Sequence, residues 1–257
     1  MNFYHRAPRP PLDAVIESIW AVRDSPRPHG LERVLPTGAA QLIVNLKEDR
    51  TRVYDPERPD QCISTSGTIL AGVQTRYQII DTSEQEYVAG VAFRPGGTAA
   101  FIRAPAPQQL LECETPDTEL DAIESALREM FVPAAVHPAV GVALTAFDRV
   151  PLTASIGAVT SAIGISAKQF IEQFKRAVGV TPKRYCRIRR FQKALRLANQ
   201  GRDVDWVQVA LDCGYFDQAH FIHDFRSFAG ITPTRYQAAR TPFQNHVKFL
   251  QSTGDGI

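Results

Sequence analysis

A long apolar run is missing from these 257 residues, and no stretch approaches the length needed to cross a bilayer. The amino terminus, Met1-Asn-Phe-Tyr-His-Arg-Ala-Pro, lacks the apolar segment of a signal peptide. Cysteine is scarce: Cys62, Cys113, Cys186 and Cys213 lie far apart without a C-x-x-C pair, so they read as free thiols rather than a disulfide frame or a metal cage. In the first half the histidines are only His5, His29 and His137, too scattered for a metal-dependent barrel enzyme. No Ser/His/Asp arrangement and no phosphate-binding loop emerges. Neither Cys62 nor Cys113 has the activating base that a DNA-repair methyl acceptor would need beside its thiol. These gaps point to a cytoplasmic protein that is not an enzyme and calls for no cofactor or metal.

A large net charge is missing too, but the balance is uneven along the chain. The total is +2. Residues 1–150 carry 14 basic and 20 acidic side chains, whereas residues 151–240 carry 14 and 6. An acidic front and a basic back predict two domains, the second facing a polyanion.

What is present is a pattern written twice. Phe170, Phe174, Gly179, Pro182, Arg184 and Tyr185 each recur 51 positions later, as Phe221, Phe225, Gly230, Pro233, Arg235 and Tyr236. Each copy has an apolar helix, a Gly turn and a second helix with a polar face, which is a helix-turn-helix used in tandem. In the first, Ile156, Val159 and Ile163 form a stripe, Gly164 turns, and Ser166 with Gln169 makes a capping-box pattern. Thr153 or a neighbour caps the stripe helix. Thr181-Pro182 opens a helix to about Asn199 that carries seven basic residues. In the second copy Trp206, Val209 and Ala210 pack inward, Gly214 turns and Asp217 caps the next helix.

The first half shows short apolar runs between turns: Val15–Val22, Gln41–Leu46, Arg52–Tyr54, Thr68–Ala71, Arg76–Ile80 and Tyr87–Phe93. Their spacing predicts a small β-barrel or sandwich, cupin-like, with helices at 120–131 and from His137-Pro138 through Phe147. Residues 1–12 read as loop or extended, and 241–257 as a flexible tail. The expected layout is therefore an α+β two-domain chain: 1–135 a β-rich sensor or dimerisation domain, 136–240 an all-α tandem helix-turn-helix domain. In Phe93-Arg-Pro-Gly-Gly97 a Gly pair follows a strand, so Arg76, Arg94, Gly96 and Gly97 are a candidate anion site; a strand-to-helix turn needs the same glycines for shape alone.

The tandem units, with Ala210, Cys213-Gly214-Tyr215, Asp217-Gln218, His220-Phe221, Phe225 and Gly230-Ile-Thr-Pro233, resemble the DNA-binding region of the AraC/XylS family of bacterial transcription regulators. About 100 residues are covered. Glu32–Gly38, Gln41–Leu46, Gly72–Arg76 and Phe93–Gly97 resemble the uncharacterised sensor-like domain often joined to it. The resemblance implies two three-helix modules joined by a rigid helix, with each recognition helix in its own major groove. It implies base-reading side chains at Lys168, Ile171 and Glu172, and at Gln218, Ile222 and His223. Here the chain departs from the family pattern, since arginine is frequent where Glu172 and His223 stand; Glu172 can accept from cytosine N4 or act by exclusion. Candidate phosphate contacts are Lys175, Arg176, Arg184, Arg187, Arg190 and Arg226, some of which pair instead with Asp212 or Asp224. A solvated face is the plain alternative for any basic helix. His220 and His223 share a face with Cys213 upstream, but a zinc cage would need a fourth ligand and would compete with DNA. The expected function is a sequence-specific DNA-binding transcription regulator, an activator or a repressor. Its candidate partners are double-stranded DNA, RNA polymerase, a small-molecule effector and a second copy of the chain, with no membrane partner. The alternative is an enzyme or DNA-repair protein carrying a fused helix-turn-helix module.

Overall fold

The computed structural model describes residues 2–23, 30–101, 115–134, 136–149, 156–201 and 203–249. The expected caps near Thr153 and the thiol of Cys113 lie outside them.

The first half folds as β1 (Asn2–Arg6), β2 (Ile16–Arg23), β3 (Leu31–Val34), β4 (Gln41–Asn45), β5 (Thr51–Tyr54), β6 (Cys62–Thr65), β7 (Thr68–Ala71), β8 (Gln78–Asp81) and β9 (Tyr87–Phe93). Helix α1 (Pro116–Met130) follows. The rest is helical: α2 (Pro138–Arg149), α3 (Ile156–Ile163), α4 (Ala167–Val178), α5 (Pro182–Ala198), α6 (Trp206–Asp212), α7 (Gln218–Ala229) and α8 (Pro233–Ala239). The chain then closes with β10 (His246–Lys248).

The strands form two antiparallel five-stranded sheets, ordered β1-β2-β9-β4-β7 and β10-β3-β8-β5-β6. This is the sandwich alternative of the expectation; no closed barrel forms among the described residues. Period-two alternation splits each strand between two layers. Ile19, Ala21, Ala89, Val91 and Phe93 point from the first sheet to α1, where Leu120, Ile123 and Leu127 complete a core that excludes water. Trp20 and Gly90 are register partners on the opposite face. A Cβ at Gly90 would lie 2.4 Å from the Trp20 ring, so glycine there lets the indole lie against the sheet.

At the chain ends one expectation takes its extended alternative and another fails. Residues 2–6 form a strand paired with β2, because the pairing is supplied by a partner with strong alternation rather than by their own Pro- and Arg-rich neighbourhood. Residues 241–249 are no loose tail: β10 pairs antiparallel with β3, and Leu35 N–H donates to Asn245 O at 2.8 Å. Val247, fully buried, and Leu35 both enter the core of the second helical module. The β-domain thus supplies part of the helical domain's interior.

Truncating such a residue leaves a cavity as well as losing apolar burial. We expect Val247→Ala to cost roughly 2 kcal/mol in urea unfolding. An unchanged midpoint would mean that β10 is not part of the folded core.

Candidate nucleic-acid interface

Each helix-turn-helix forms where the sequence places its signals. Ser166 and Gln169 make the reciprocal capping box of α4, and Gly179 closes the helix in the left-handed region at φ +92°. Phe170, Phe174 and Val178 of α4 pack with Val140, Ala143 and Phe147 of α2 and with Tyr185. In the second module Asp217 accepts from His220 N–H to start α7, and Gly230 ends it at φ +70°. Phe221, Phe225 and Phe228 face inward against α5, with Trp206 stacked on Phe221. Helix α5 belongs to both modules: Tyr185 sits in the first core, and Ile188, Phe191 and Leu195 in the second.

The polar faces of α4 and α7 are left outside. Lys168 and Glu172 are exposed and Ile171 is half-buried; Gln218 and His223 are exposed and Ile222 is half-buried. Lys175 and Arg176 in the last turn of α4, and Arg226 in that of α7, are exposed as well.

Half of the expected phosphate contacts point elsewhere. Arg184 donates to the Thr75 carbonyl and lies over the Phe228 ring at 4.8 Å; desolvation lowers its pKa. Arg187 grips Asp224 bidentately, at 2.6 and 3.2 Å, and this bonding raises its pKa above the usual arginine value. Arg190 lies over the Tyr215 ring at 5.0 Å. Arg189 pairs with Asp148 at 2.9 Å, and Lys193 donates to the Asp212 carbonyl. The charge of α5 therefore serves mostly to fasten it to its surroundings. Lys183 and Arg196 remain exposed on it. The sequence offered Asp224 only as a pairing partner. It is 2% exposed and ties α7 to α5.

The candidate anion-site residues have structural partners of their own. Gly97 N–H donates to Arg94 O, and a Cβ at Gly97 would fall 2.0 Å from Val15 O, so this glycine serves a close backbone approach. The Arg94 guanidinium donates to Asp13 O at 2.8 Å, Gly96 packs near the Ala177 carbonyl, and Arg76 is exposed. The turn is structural. Burial pushes the Cys213 thiol up to about 11. Among the described residues no three His, Cys, Asp or Glu side chains group as metal ligands, and no helix is long and apolar enough to cross a membrane.

The β-domain grips the helical domain at several points. Gln192 Nε2 donates to Pro36 O at 2.6 Å and to Asn245 Oδ1 at 2.8 Å. Tyr77 N–H donates to Phe228 O at 2.8 Å, and the Tyr77 ring sits where a Gly230 side chain would be. Val73 packs against both helical cores.

Residues 159–239 match the model of a helix-turn-helix domain, and residues 4–111 match that of a domain of unknown function (DUF6597). The probable transcriptional regulator LumQ of Photobacterium leiognathi is 35% identical over 83 residues, 32% of this chain and 33% of that protein. The chain thus spans about a third of the curated relative it matches. Among solved structures, a transcriptional regulator with an AraC-type DNA-binding domain from Chromobacterium violaceum is 26% identical. That likeness covers 39% of this chain and 90% of its own, at a TM-score of 0.36. ToxT from Vibrio cholerae O395 is 8% identical over 92% of this chain and 97% of its own, at a TM-score of 0.49.

Removing one partner of a buried charge pair strands the other. Asp224→Ala is expected to destabilise the protein by roughly 3 kcal/mol, and Arg187→Met with Asp224→Leu to regain most of it. Urea unfolding of the single and double variants checks this; equal losses in both would show that the pair is not the source.

Proposed function

We propose that this chain, whose residues 159–239 form an AraC-type helix-turn-helix domain, is a sequence-specific DNA-binding transcription regulator. The observation that carries the reading is the pair of capped, outward-facing helices, α4 and α7, braced by one shared helix. An α-helix fits the major groove, where side chains from its outer face reach base edges. Lys168, Ile171 and Glu172 read one half-element; Gln218, Ile222 and His223 read the other. Lys175, Arg176 and Arg226 meet phosphate and set register without reading sequence. The protein works in the cytoplasm and performs no catalysis of its own. The β-domain modulates DNA binding through the surface it shares with both modules, and RNA polymerase and a second copy of the chain are its protein partners.

Selection of bound DNA from a random pool by the full-length protein tests the assignment. Lys168→Ala and His223→Ala should each relax preference in a different half-element. If both leave the selected motif unchanged, the reading faces are misassigned. With three phosphate contacts the slope of log affinity against log salt is expected near −3, and Lys175→Ala should reduce it by about one. A slope unaltered in that variant would remove Lys175 from the interface.

A further inference from the structure

Helix α5 belongs to both modules, yet one shared helix does not fix the angle between them. Long helices bend gently, and elements packed on them slide by small shear movements. Two reading helices held to the phase of one duplex need a second tie, placed off the axis of α5. The loop between β7 and β8, residues 72–77, makes such a tie.

Val73 in this loop packs against both helical cores, and among the described residues it is the one side chain common to the two clusters. The Thr75 carbonyl accepts from Arg184 in the first turn of α5, and that guanidinium lies over the Phe228 ring of α7. Tyr77 N–H donates to Phe228 O, one of the last-turn carbonyls that α7 cannot satisfy within itself. The Arg33 guanidinium of β3 lies over the Tyr77 ring at 5.4 Å, so the loop is fastened to the sheet as well as to α7.

The glycines that end the two reading helices show how particular this contact is. Gly179 and Gly230 hold the same place in the repeat, and both lie at positive φ. A Cβ on Gly179 would meet nothing within 4 Å, whereas one on Gly230 would run into the Tyr77 ring. At the end of α4 the β-domain approaches through another segment, with Gly96 near the Ala177 carbonyl. The sandwich therefore reaches the C-terminal end of each reading helix, away from the first-turn residues Lys168 and Gln218.

We infer that the 72–77 loop is a wedge between the modules that fixes the spacing of the two half-elements, with Val73 and Tyr77 as positioning residues. Neither touches a base. Specificity of this kind lies in the distance and phase between two contacts, not in either contact alone. One added base pair moves a half-element by about 3.4 Å and turns it by about 35°. Reading helices locked to each other cannot follow that change; hinged ones can. The wedge matters only if the chain binds DNA as proposed, and it then names the part of the chain that sets the spacing.

The test uses the full-length protein on its selected site and on duplexes with one base pair inserted or removed between the half-elements. The unmodified protein should lose at least about tenfold in affinity on either altered duplex, ~1.4 kcal/mol. In the double variant Val73→Ala with Tyr77→Ala, that penalty should fall below about threefold, while affinity for a duplex carrying one half-element stays unchanged. Hydrogen exchange on the unmodified protein gives a reading that no variant's folding can disturb. At saturating DNA the Tyr77 amide, bonded to Phe228 O, should exchange faster on the altered duplexes than on the selected site. An unchanged penalty in the double variant, or equal protection of Tyr77 on all the duplexes, leaves α5 as the brace and overturns the wedge. Weaker binding to the single half-element by a double variant of unchanged thermal unfolding overturns it too, since the loop would then support one module rather than space two. A full-length protein that selects no DNA motif is a separate outcome: it removes the regulator reading, and the wedge with it.

Discussion

The pairing of β10 on β3 is the constraint on which the two halves depend. A three-residue strand carries little stability of its own; it is held because Val247 fills a place in the helical core while the backbone completes a sheet. The second module and the sandwich edge therefore share packing through this strand. The hydrogen bonds of Gln192 to Pro36 and Asn245, buried beside this strand, fix how α5 meets the sheet.

Helix α5 resolves a competition between two uses of positive charge. A cationic helix adjoining DNA can spend its charge on phosphate, or on fastening the elements that do the reading. In this protein Arg184, Arg187, Arg189, Arg190 and Lys193 are engaged with Thr75, Asp224, Asp148, Tyr215 and Asp212. On the proposed function, rigidity of α4 and α7 is gained at the expense of direct attraction to phosphate, which is left to the exposed cations in the last turns of those two helices. An interface built this way depends more on shape and base contacts than on bulk charge.

The tandem modules were legible because local chemistry dictates them: Phe spacing, capping residues and glycines at positive φ act within a few residues of one another. The runs at 41–46, 68–71 and 87–93 were legible through β-branched composition and alternation. What escaped was set by distant partners. Local signals left open whether Arg187 meets Asp224 or phosphate and whether the Gly96-Gly97 pair serves shape or an anion, and they gave no sign that residues 246–248 become a strand. Strands β1 and β6 were hidden for the same reason, since each lies at a sheet edge and takes its conformation from one neighbour.

Two reading helices on one brace make a geometric demand on DNA, and the demand can be measured. Hydroxyl-radical footprinting of the full-length protein on its selected site should show two protected segments on one face of the duplex, about 10 base pairs apart. A single protected segment, or two without a helical-turn phase, would contradict the account.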